Sequence, residues 1–172
     1  MKEELILVDE KDNEIGFEEK MKCHLGNGIL HRAFTIFIFN KNNQMLIQRR
    51  SKKKFLWGLC WANACCSHPR KGESLEQATH RRLKEELGFN CKLQYLFSFI
   101  YHANFANRGS EYELDHVFVG RYDGEVTPNP EEIAEWKWID IEKLKKDIRK
   151  NPDQYTPWFK LSINKVLKSL KF

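Results

Sequence analysis

A chain of 172 residues, 41% of them apolar and 31% charged, has the size and composition of one globular domain. It has no apolar run of about 18 residues, which argues against a transmembrane helix, and residues 1–4 do not resemble the start of a signal peptide. We therefore expect a cytoplasmic protein. The formal net charge of +5 favours anionic ligands, but the basic residues are dispersed, so a small phosphorylated ligand explains them as well as a nucleic acid does.

The first part of the chain predicts a short strand and a loop that carries two imidazoles. Residues 5–8 form an apolar run that ends in turn residues, which is typical of a strand. His24 and His31 lie on either side of glycines 26 and 28, and these glycines predict a loop rather than a helix. A single histidine is more often a hydrogen-bonded structural residue than a ligand, so the pair matters only if other ligands converge on it.

Two strands joined as a hairpin are predicted after this loop. Residues 33–39 (AFTIFIF) are apolar, aromatic or β-branched throughout, which predicts a strand buried on both faces. Residues 45–50 predict a second strand, and the polar turn residues 40–43 between the two predict a β-hairpin. A basic loop at 51–54 then leads through an aromatic segment to the centre of the chain.

Residues 63–69 (NACCSHP) place two adjacent cysteines beside a histidine. The chain has five cysteines, an odd number, and the adjacent pair is a poor start for a disulfide framework, so we expect free thiols in a reducing compartment. Four of them are expected to be packing residues, namely Cys23, Cys60, Cys65 and Cys91. Cys66 is the candidate proton carrier or nucleophile, because nearby cations would favour its thiolate.

A helix is predicted between Ser74 and Gly88. Ser74 and Gln77 form a capping-box pattern, and the inward stripe consists of Leu75, Ala78, Leu83 and Leu87. Arg82 and Glu86 are four residues apart, and two interpretations of them stay open. They form an exposed ion pair worth about 0.3 kcal/mol, or Glu86 holds Mg²⁺ that also binds substrate phosphates while Arg82 meets the phosphate oxygens.

Two long strands are predicted in the second half of the chain. Residues 93–102 and 111–122 are these strands, and residues 104–110 are predicted to be a polar loop between them. In the second strand Glu111 and Glu113 share one face. Two such carboxylates repel each other unless they are solvated, protonated or bound to a cation.

The chain is predicted to end in a short strand and two helices. Residues 136–139 predict the strand and residues 141–150 a basic helix. Thr156 at the N-cap and Pro157 at the first helical position begin the last helix, whose stripe is Phe159, Ile163, Val166, Leu167 and Leu170. Trp158 falls off that stripe, so it either faces a pocket or packs in the core.

Five side chains are candidate metal ligands: His24, His31, His68, Glu111 and Glu113. Imidazoles together with carboxylates suit a divalent transition metal such as Mn, Zn or Fe. The candidates for meeting phosphate oxygens are Arg50, Arg82 and either Lys53 or Lys54. Glu113 is the candidate acid/base group that opposes Cys66, because a metal would tune its proton affinity.

Residues 67–89 resemble a Nudix box. The matching positions are Glu73, Arg81, Leu83, Glu85, Glu86, Gly88 and Phe89. Ser67 replaces the first glycine of the pattern, and Arg82 replaces a glutamate that Nudix hydrolases use with the next two to bind metal. The resemblance implies a Nudix fold in which pyrophosphate hydrolysis is disfavoured and a phosphate binder stands where a metal ligand stood.

Nearly the whole chain resembles the type 1 isopentenyl-diphosphate δ-isomerases. The matching elements are the His24 and His31 pair, Arg49-Arg50 followed by a lysine, residues 63–69, Glu111-x-Glu113 and Thr156-Pro157-Trp158. Residues 57–61 (WGLCW) depart from the family's usual Trp-Pro-Gly-x-Trp. The resemblance implies a single-domain α/β (α+β) Nudix fold, a mixed central β-sheet flanked by helices, with a core at about residues 31–140 and C-terminal helices at 141–172.

The same resemblance implies the reaction, which converts isopentenyl diphosphate to dimethylallyl diphosphate through a carbocation. Glu113, helped by Tyr101, would protonate the terminal alkene carbon, and Cys66 would take the allylic proton from the opposite side. Cys66 is chosen over Cys65, which faces the other way if this segment is a strand. Trp158 would offer its π face to the cation.

The resemblance further implies two metals and one small partner. Mn²⁺ or Zn²⁺ would occupy the five-ligand site, and Mg²⁺ would be shared by Glu86 and the diphosphate. The chain is expected to bind this substrate but neither nucleic acid nor membrane, as a monomer or a weak homodimer. Two other functions stay open: a Nudix-type diphosphohydrolase, against which Arg82 argues, and a basic nucleic-acid- or metal-binding module without catalysis.

Overall fold

The structure, a computed structural model, describes residues 3–171 as a mixed β-sheet with helices packed against it. Residues 1, 2 and 172, which the predicted domain includes, lie outside the described residues. In the described range the strands are β1 (Glu4–Val8), β2 (Glu14–Glu19), β3 (His31–Phe39), β4 (Met45–Arg50), β5 (Trp61–Ala62), β6 (Cys65–Ser67), β7 (Leu93–Phe105), β8 (Gly109–Arg121) and β9 (Ile133–Ile139). The α-helices are α1 (Lys20–His24), α2 (Leu75–Leu87), α3 (Ile141–Lys150) and α4 (Pro157–Ser169), and a 3₁₀ turn at Pro152–Gln154 precedes α4.

Strand β3 is the centre of the sheet. It pairs in parallel with β8 along its whole length, and its other edge pairs with β1, β6 and β4 in turn. The predicted hairpin of β3 and β4 is correct only at its turn, because Phe39 and Met45 are the one pair in register between these two strands. Strand β6 occupies the same edge of β3 at residues 34–36, so β4 diverges and pairs with β9 instead.

The β7–β8 hairpin is longer than predicted. Its register runs from Leu93 opposite Gly120 to Phe105 opposite Gly109, so the predicted loop at 104–110 shrinks to residues 106–108. Ala106 takes a positive φ of 49° in this turn, a conformation that is uncommon for residues other than glycine. The extra strand residues carry the hairpin up to helix α1, where His24 lies.

Two hydrophobic clusters cover the two faces of β3. Phe37 and Phe39 pack with α4, while Ile36 and Ile38 pack with α2. This confirms the prediction of a strand buried on both faces, since alternate side chains of β3 enter different clusters. The short elements β2 and α1 were not predicted, because a half-exposed strand and a five-residue helix carry little periodic signal.

The predicted helix ends are confirmed at α2 and confirmed in part at α4. Ser74 and Gln77 form the reciprocal capping box, and Gly88 ends α2 with a φ of 77°. Thr156 and Pro157 begin α4 as predicted, but the Thr156 side chain makes no capping hydrogen bond to the described residues. None of the helices described between residues 3 and 171 has both the length and the apolar character needed to cross a bilayer.

Candidate active site

The five predicted metal ligands converge at one end of the sheet. His31 begins β3 and lies directly opposite Glu113 of β8 in the parallel register, and Glu111 precedes it on the same face. His24 ends α1, and His68 follows β6. One ligand atom from each residue lies within 4.8 Å of all the others, and all five residues are buried. The cluster therefore joins four elements that are distant in sequence.

The hydrogen bonds of two histidines suit this cluster to a cation. Nδ1 of His24 lies 2.7 Å from the Lys20 carbonyl, and Nδ1 of His31 lies 2.7 Å from the Ile29 carbonyl. A carbonyl can only accept, so the proton of a neutral ring is on Nδ1 and the lone pair of Nε2 faces the cluster. There His24 Nε2 lies 2.9 Å from Oε2 of Glu111, and His31 Nε2 lies 3.5 Å from Oε1 of Glu113.

Lone pairs that face each other in a buried site need a proton or a cation between them. His31 Nε2 and Glu111 Oε2 are buried without a well-aligned hydrogen-bond partner in the described part of the chain. Although burial opposes it, Glu111 raises the pKa of His24 to about 9, which favours a proton between His24 and Glu111 when metal is absent. The nitrogen and oxygen donor set fits a divalent cation, which would replace that proton.

Glu113 is held from both sides. His68 Nε2 lies 2.7 Å from its Oε1, and the Tyr101 hydroxyl donates to its Oε2 at 2.5 Å. Burial and the charge of Glu113 raise the pKa of Tyr101 well above its usual range, so this hydroxyl stays a donor. Burial opposes ionisation of Glu113, but its contacts with His31 and His68 lower its pKa in the free chain, where the carboxylate therefore prevails.

The two adjacent cysteines of β6 face opposite sides, as predicted. Cys65 packs in the cluster that includes Ala64 and Leu83, whereas Cys66 lines a cavity. The Cys66 thiol is the donor to Oδ1 of Asn63 at 3.0 Å, and the Trp158 indole donates to its sulfur at 3.0 Å. Burial and the Asp115 carboxylate raise the pKa of Cys66 in the free chain, and they outweigh Arg50, which favours the thiolate as expected of a nearby cation.

Two buried residues near Cys66 were not predicted to take part in the site. The Thr35 hydroxyl donates to Oδ2 of Asp115 at 2.7 Å and lies 3.6 Å from the Cys66 sulfur. Asp115 shares the β8 face of Glu111 and Glu113, so the strand alternation already placed it there. The link to Thr35 depends on the β3–β8 register, which has no local signal in the sequence.

One cavity of about 120 Å³ contains the groups predicted to act on the substrate. Cys66 and Glu113 both line it, which meets the main requirement of the predicted proton transfers. The other predicted residues of its lining are His24, His68, Glu111, Tyr101, Trp158, Arg50, Lys54 and Arg82. Lys20 also lines it and was not predicted, because nothing in the sequence distinguishes it from other exposed lysines.

The structure distinguishes between the two candidate lysines. Lys54 lines the cavity, whereas Lys53 is exposed and pairs with Glu131 at 2.5 Å, outside the lining that the described residues form. Arg50 is buried, donates to the carbonyls of Trp57 and Leu56, and lies 5.1 Å from the centroid of the Trp158 ring. Arg50, Lys54, Arg82 and Lys20 thus give the cavity a cationic wall.

The alternative of an exposed Arg82–Glu86 ion pair is wrong. The side chain of Glu86 is only 3% exposed, and its Oε1 accepts from Nη2 of Arg82 at 2.5 Å. Arg82 also contacts Glu85 and Glu132. Glu86 is not among the described residues that line the cavity, so it reaches the cavity through Arg82.

The sequence is similar to those of known proteins. The NUDIX domain family matches residues 29–159. Isopentenyl-diphosphate Delta-isomerase 2 of Photorhabdus laumondii is 49% identical over 145 residues, which are 84% of this chain and 81% of that protein. Isopentenyl-diphosphate Delta-isomerase 2 of Aromatoleum aromaticum is 46% identical over 150 residues, which are 87% of this chain and 79% of that protein.

Solved structures show the same fold. A Deinococcus radiodurans protein of known crystal structure has a TM-score of 0.71 and 25% identity, with 87% of this chain and 90% of that chain covered. The MutT protein of Methanosarcina mazei has a TM-score of 0.59 and 19% identity, with 68% of this chain and 81% of that chain covered. The chain belongs to the Nudix superfamily and, within it, to the isopentenyl-diphosphate Δ-isomerases.

Proposed function

We propose how this site carries out the isomerisation of isopentenyl diphosphate to dimethylallyl diphosphate, the activity of the family to which the chain belongs. The observation that supports the proposal is that Cys66 and Glu113 line one cavity whose wall also carries Arg50, Lys54 and Arg82. A cationic wall binds the diphosphate, and the two acid/base groups act on the five-carbon part.

Glu113 delivers a proton to the terminal alkene carbon. Its Oε2 accepts a hydrogen bond from Tyr101, which orients the carboxyl group towards the substrate. When the substrate's apolar part displaces water, desolvation raises the proton affinity of Glu113 above that of the free chain. The protonated alkene becomes a tertiary carbocation, and the indole of Trp158 stabilises it through its π electrons.

Cys66 removes the allylic proton and completes the double-bond shift. Two polar contacts orient its sulfur, a hydrogen bond donated by Trp158 and an acceptor oxygen on Asn63. The Trp158 N–H stabilises the sulfur when it is negatively charged, which helps the thiolate form despite burial. One proton passes from Glu113 to the terminal carbon and one passes from the allylic carbon to Cys66, so the substrate keeps its charge and composition. The resulting carboxylate and thiol exchange protons with solvent, which restores the carboxylic acid and the thiolate before the next turnover.

Two metals complete the proposal. The five-ligand cluster of His24, His31, His68, Glu111 and Glu113 holds one divalent ion, Mn²⁺ or Zn²⁺, which when bound offsets the carboxylate charge and tunes the proton affinity of Glu113. Glu86 would hold Mg²⁺, which would supply positive charge for the diphosphate, while Arg50, Lys54 and Arg82 bind the diphosphate oxygens. Lys53 is left out because it is not among the described residues that line the cavity.

We also propose a cytoplasmic monomer or weak homodimer. Cys66 is a free thiol, and the proposed proton transfer needs it reduced, as it would be in the cytoplasm. The diphosphohydrolase alternative is not favoured, because Arg82 takes the place of a metal-binding glutamate and contacts the carboxylates beside it. A binding module without catalysis is not favoured either, since the relatives are enzymes by name.

Proton exchange followed by NMR tests the proposal. In deuterated water, isopentenyl diphosphate should gain deuterium at its terminal carbon and convert to dimethylallyl diphosphate. A chelator should abolish both signals, and Mn²⁺, Zn²⁺ or Mg²⁺ added in turn should identify the ions that restore them. Release of phosphate without isomerisation would support the hydrolase and overturn the proposal.

A further inference from the structure

The carboxylate of Glu132 connects two cations of the cavity wall. Its Oε2 pairs with Nζ of Lys54, and its Oε1 lies 3.0 Å from Nη2 of Arg82. Lys54 follows β4 and Arg82 lies on α2, so the two cations come from separate parts of the chain. Glu132 is not itself among the described residues that line the cavity. It therefore contacts both cations from outside the cavity.

Main-chain hydrogen bonds fix the position of Glu132. Its carbonyl accepts from the Ser51 N–H at 2.9 Å, and its own N–H donates to Asn129 at 3.0 Å. The Ser51 carbonyl in turn accepts from the Lys54 N–H at 3.1 Å. Glu132 thus contacts the segment that carries Lys54 through both its main chain and its side chain, so its backbone is fixed relative to that segment.

A neighbouring lysine–glutamate pair is more exposed than Lys54 and Glu132. Lys53 and Glu131 also form an ion pair, but their side chains are 57% and 65% exposed, against 26% and 20% for Lys54 and Glu132. Neither Lys53 nor Glu131 is among the described residues that line the cavity. The chain therefore contains an exposed control for the half-buried pair.

We propose that Glu132 is a positioning residue for the diphosphate, which holds Lys54 at a fixed distance from Arg82 before the ligand binds. This inference rests on the proposed function, in which both cations bind the diphosphate. Arg82 is held independently by Glu85 and Glu86, so Lys54 is the side chain that becomes mobile when Glu132 loses its charge. Ordering one long side chain on binding weakens the affinity by about fivefold.

Calorimetric binding of inorganic pyrophosphate tests this proposal without requiring turnover. Glu132→Gln should raise the dissociation constant about fivefold, and the exposed control Glu131→Gln should leave it unchanged. Lys54→Met should weaken binding at least as much as Glu132→Gln. Adding Glu132→Gln to Lys54→Met should then have little further effect, because Glu132 acts through Lys54. In steady-state assays Glu132→Gln should raise KM and leave kcat nearly unchanged.

Three results would overturn the proposal. If the dissociation constant falls in Glu132→Gln, Glu132 competes with the ligand for the two cations. If the constant is unchanged, Glu132 has no role in binding. If the two substitutions have additive effects in the double variant, Glu132 does not act through Lys54. If Glu132→Gln does not fold, Glu132→Asp, which keeps the charge on a shorter side chain, should give a smaller loss in the same direction. Pyrophosphate binding without isomerisation by the unmodified chain would instead contradict the proposed function.

Discussion

The indole N–H of Trp158 donates a hydrogen bond to the sulfur of Cys66 across 3.0 Å. This contact joins helix α4 to strand β6 at the wall of the cavity, although the two residues are 92 positions apart. Trp158 also packs against Trp57 and Tyr101. The last helix therefore contributes to the site directly, and its tryptophan is in contact with the group proposed to accept the allylic proton.

Replacing Cys66 by serine or alanine should remove that acceptor while keeping the fold. We expect turnover to fall about 10³-fold, in the range typical of a lost acid/base group. Steady-state kinetics and circular dichroism would measure the two effects. Cys91→Ser, which changes a cysteine outside the cavity lining of the described residues, should keep full activity. Turnover close to that of the unmodified chain in Cys66→Ser would reject the assignment.

Glu113→Gln should be nearly as damaging, and metal should not rescue it. The amide cannot deliver the proton, so we expect a loss of about 10³-fold even with saturating metal. Glu111→Gln is the matched control, because Glu111 belongs to the same cluster and Tyr101 donates to Glu113. In Glu111→Gln added metal should restore much of the activity. Equal rescue of the two variants would reduce Glu113 to a metal ligand.

Arg82→Glu should weaken both diphosphate binding and folding. The new carboxylate would face Glu85, Glu86 and Glu132, and removing a buried partner of such a network costs about 3 kcal/mol. We expect a higher KM and a lower Tm, with Mg²⁺ raising the Tm of the variant more than that of the unmodified chain. Lys84→Glu adds the same charge at an exposed site of α2 and should change little. An unchanged KM in Arg82→Glu would contradict its role in binding.

Gly109→Ala should disturb the metal cluster from outside it. A Cβ at this position would lie 2.2 Å from the carbonyl oxygen of His24, so α1 would have to move away from β8. We expect Mn²⁺ affinity to fall about tenfold, as for other changes behind metal ligands. Calorimetric titration of the metal-stripped protein would measure it. Gly16→Ala, where the nearest atom to a new Cβ is at 4.0 Å, should bind Mn²⁺ normally; equal losses in both variants would refute the explanation.

Glu132 should make stability depend on pH in the acid range. Burial opposes ionisation, but Lys54 and Arg82 lower its pKa from 4.5 to about 2. Between these values the unfolded chain binds more protons than the folded one, so the contribution of Glu132 is complete above about pH 4.5 and is lost as the pH falls towards 2. Urea unfolding at pH 6 and pH 3 should show the stability difference between the unmodified chain and Glu132→Gln shrinking. A constant difference would contradict the shift.

Local patterns in the sequence were enough to predict part of the arrangement of the site. Strand alternation put Glu111 and Glu113 on one face, and the capping box located α2. Contacts between distant segments were not predictable in this way. The parallel pairing of β3 with β8, which places His31 opposite Glu113, depends on a register that neither strand encodes alone. The same holds for Glu132 beside Lys54 and for Thr35 beside Asp115.

The register between β3 and β8 also limits where this chain can change in length. Side chains of a strand alternate between faces, so one residue inserted between Gly109 and Glu113 would turn a carboxylate away from the histidines. An insertion in the turn at 106–108 would lengthen the hairpin tip and leave the pairing intact. Homologues that catalyse the same reaction should therefore vary in length at the turn of residues 106–108. The number of residues between this turn and the glutamate at the position of Glu113 should be constant among them.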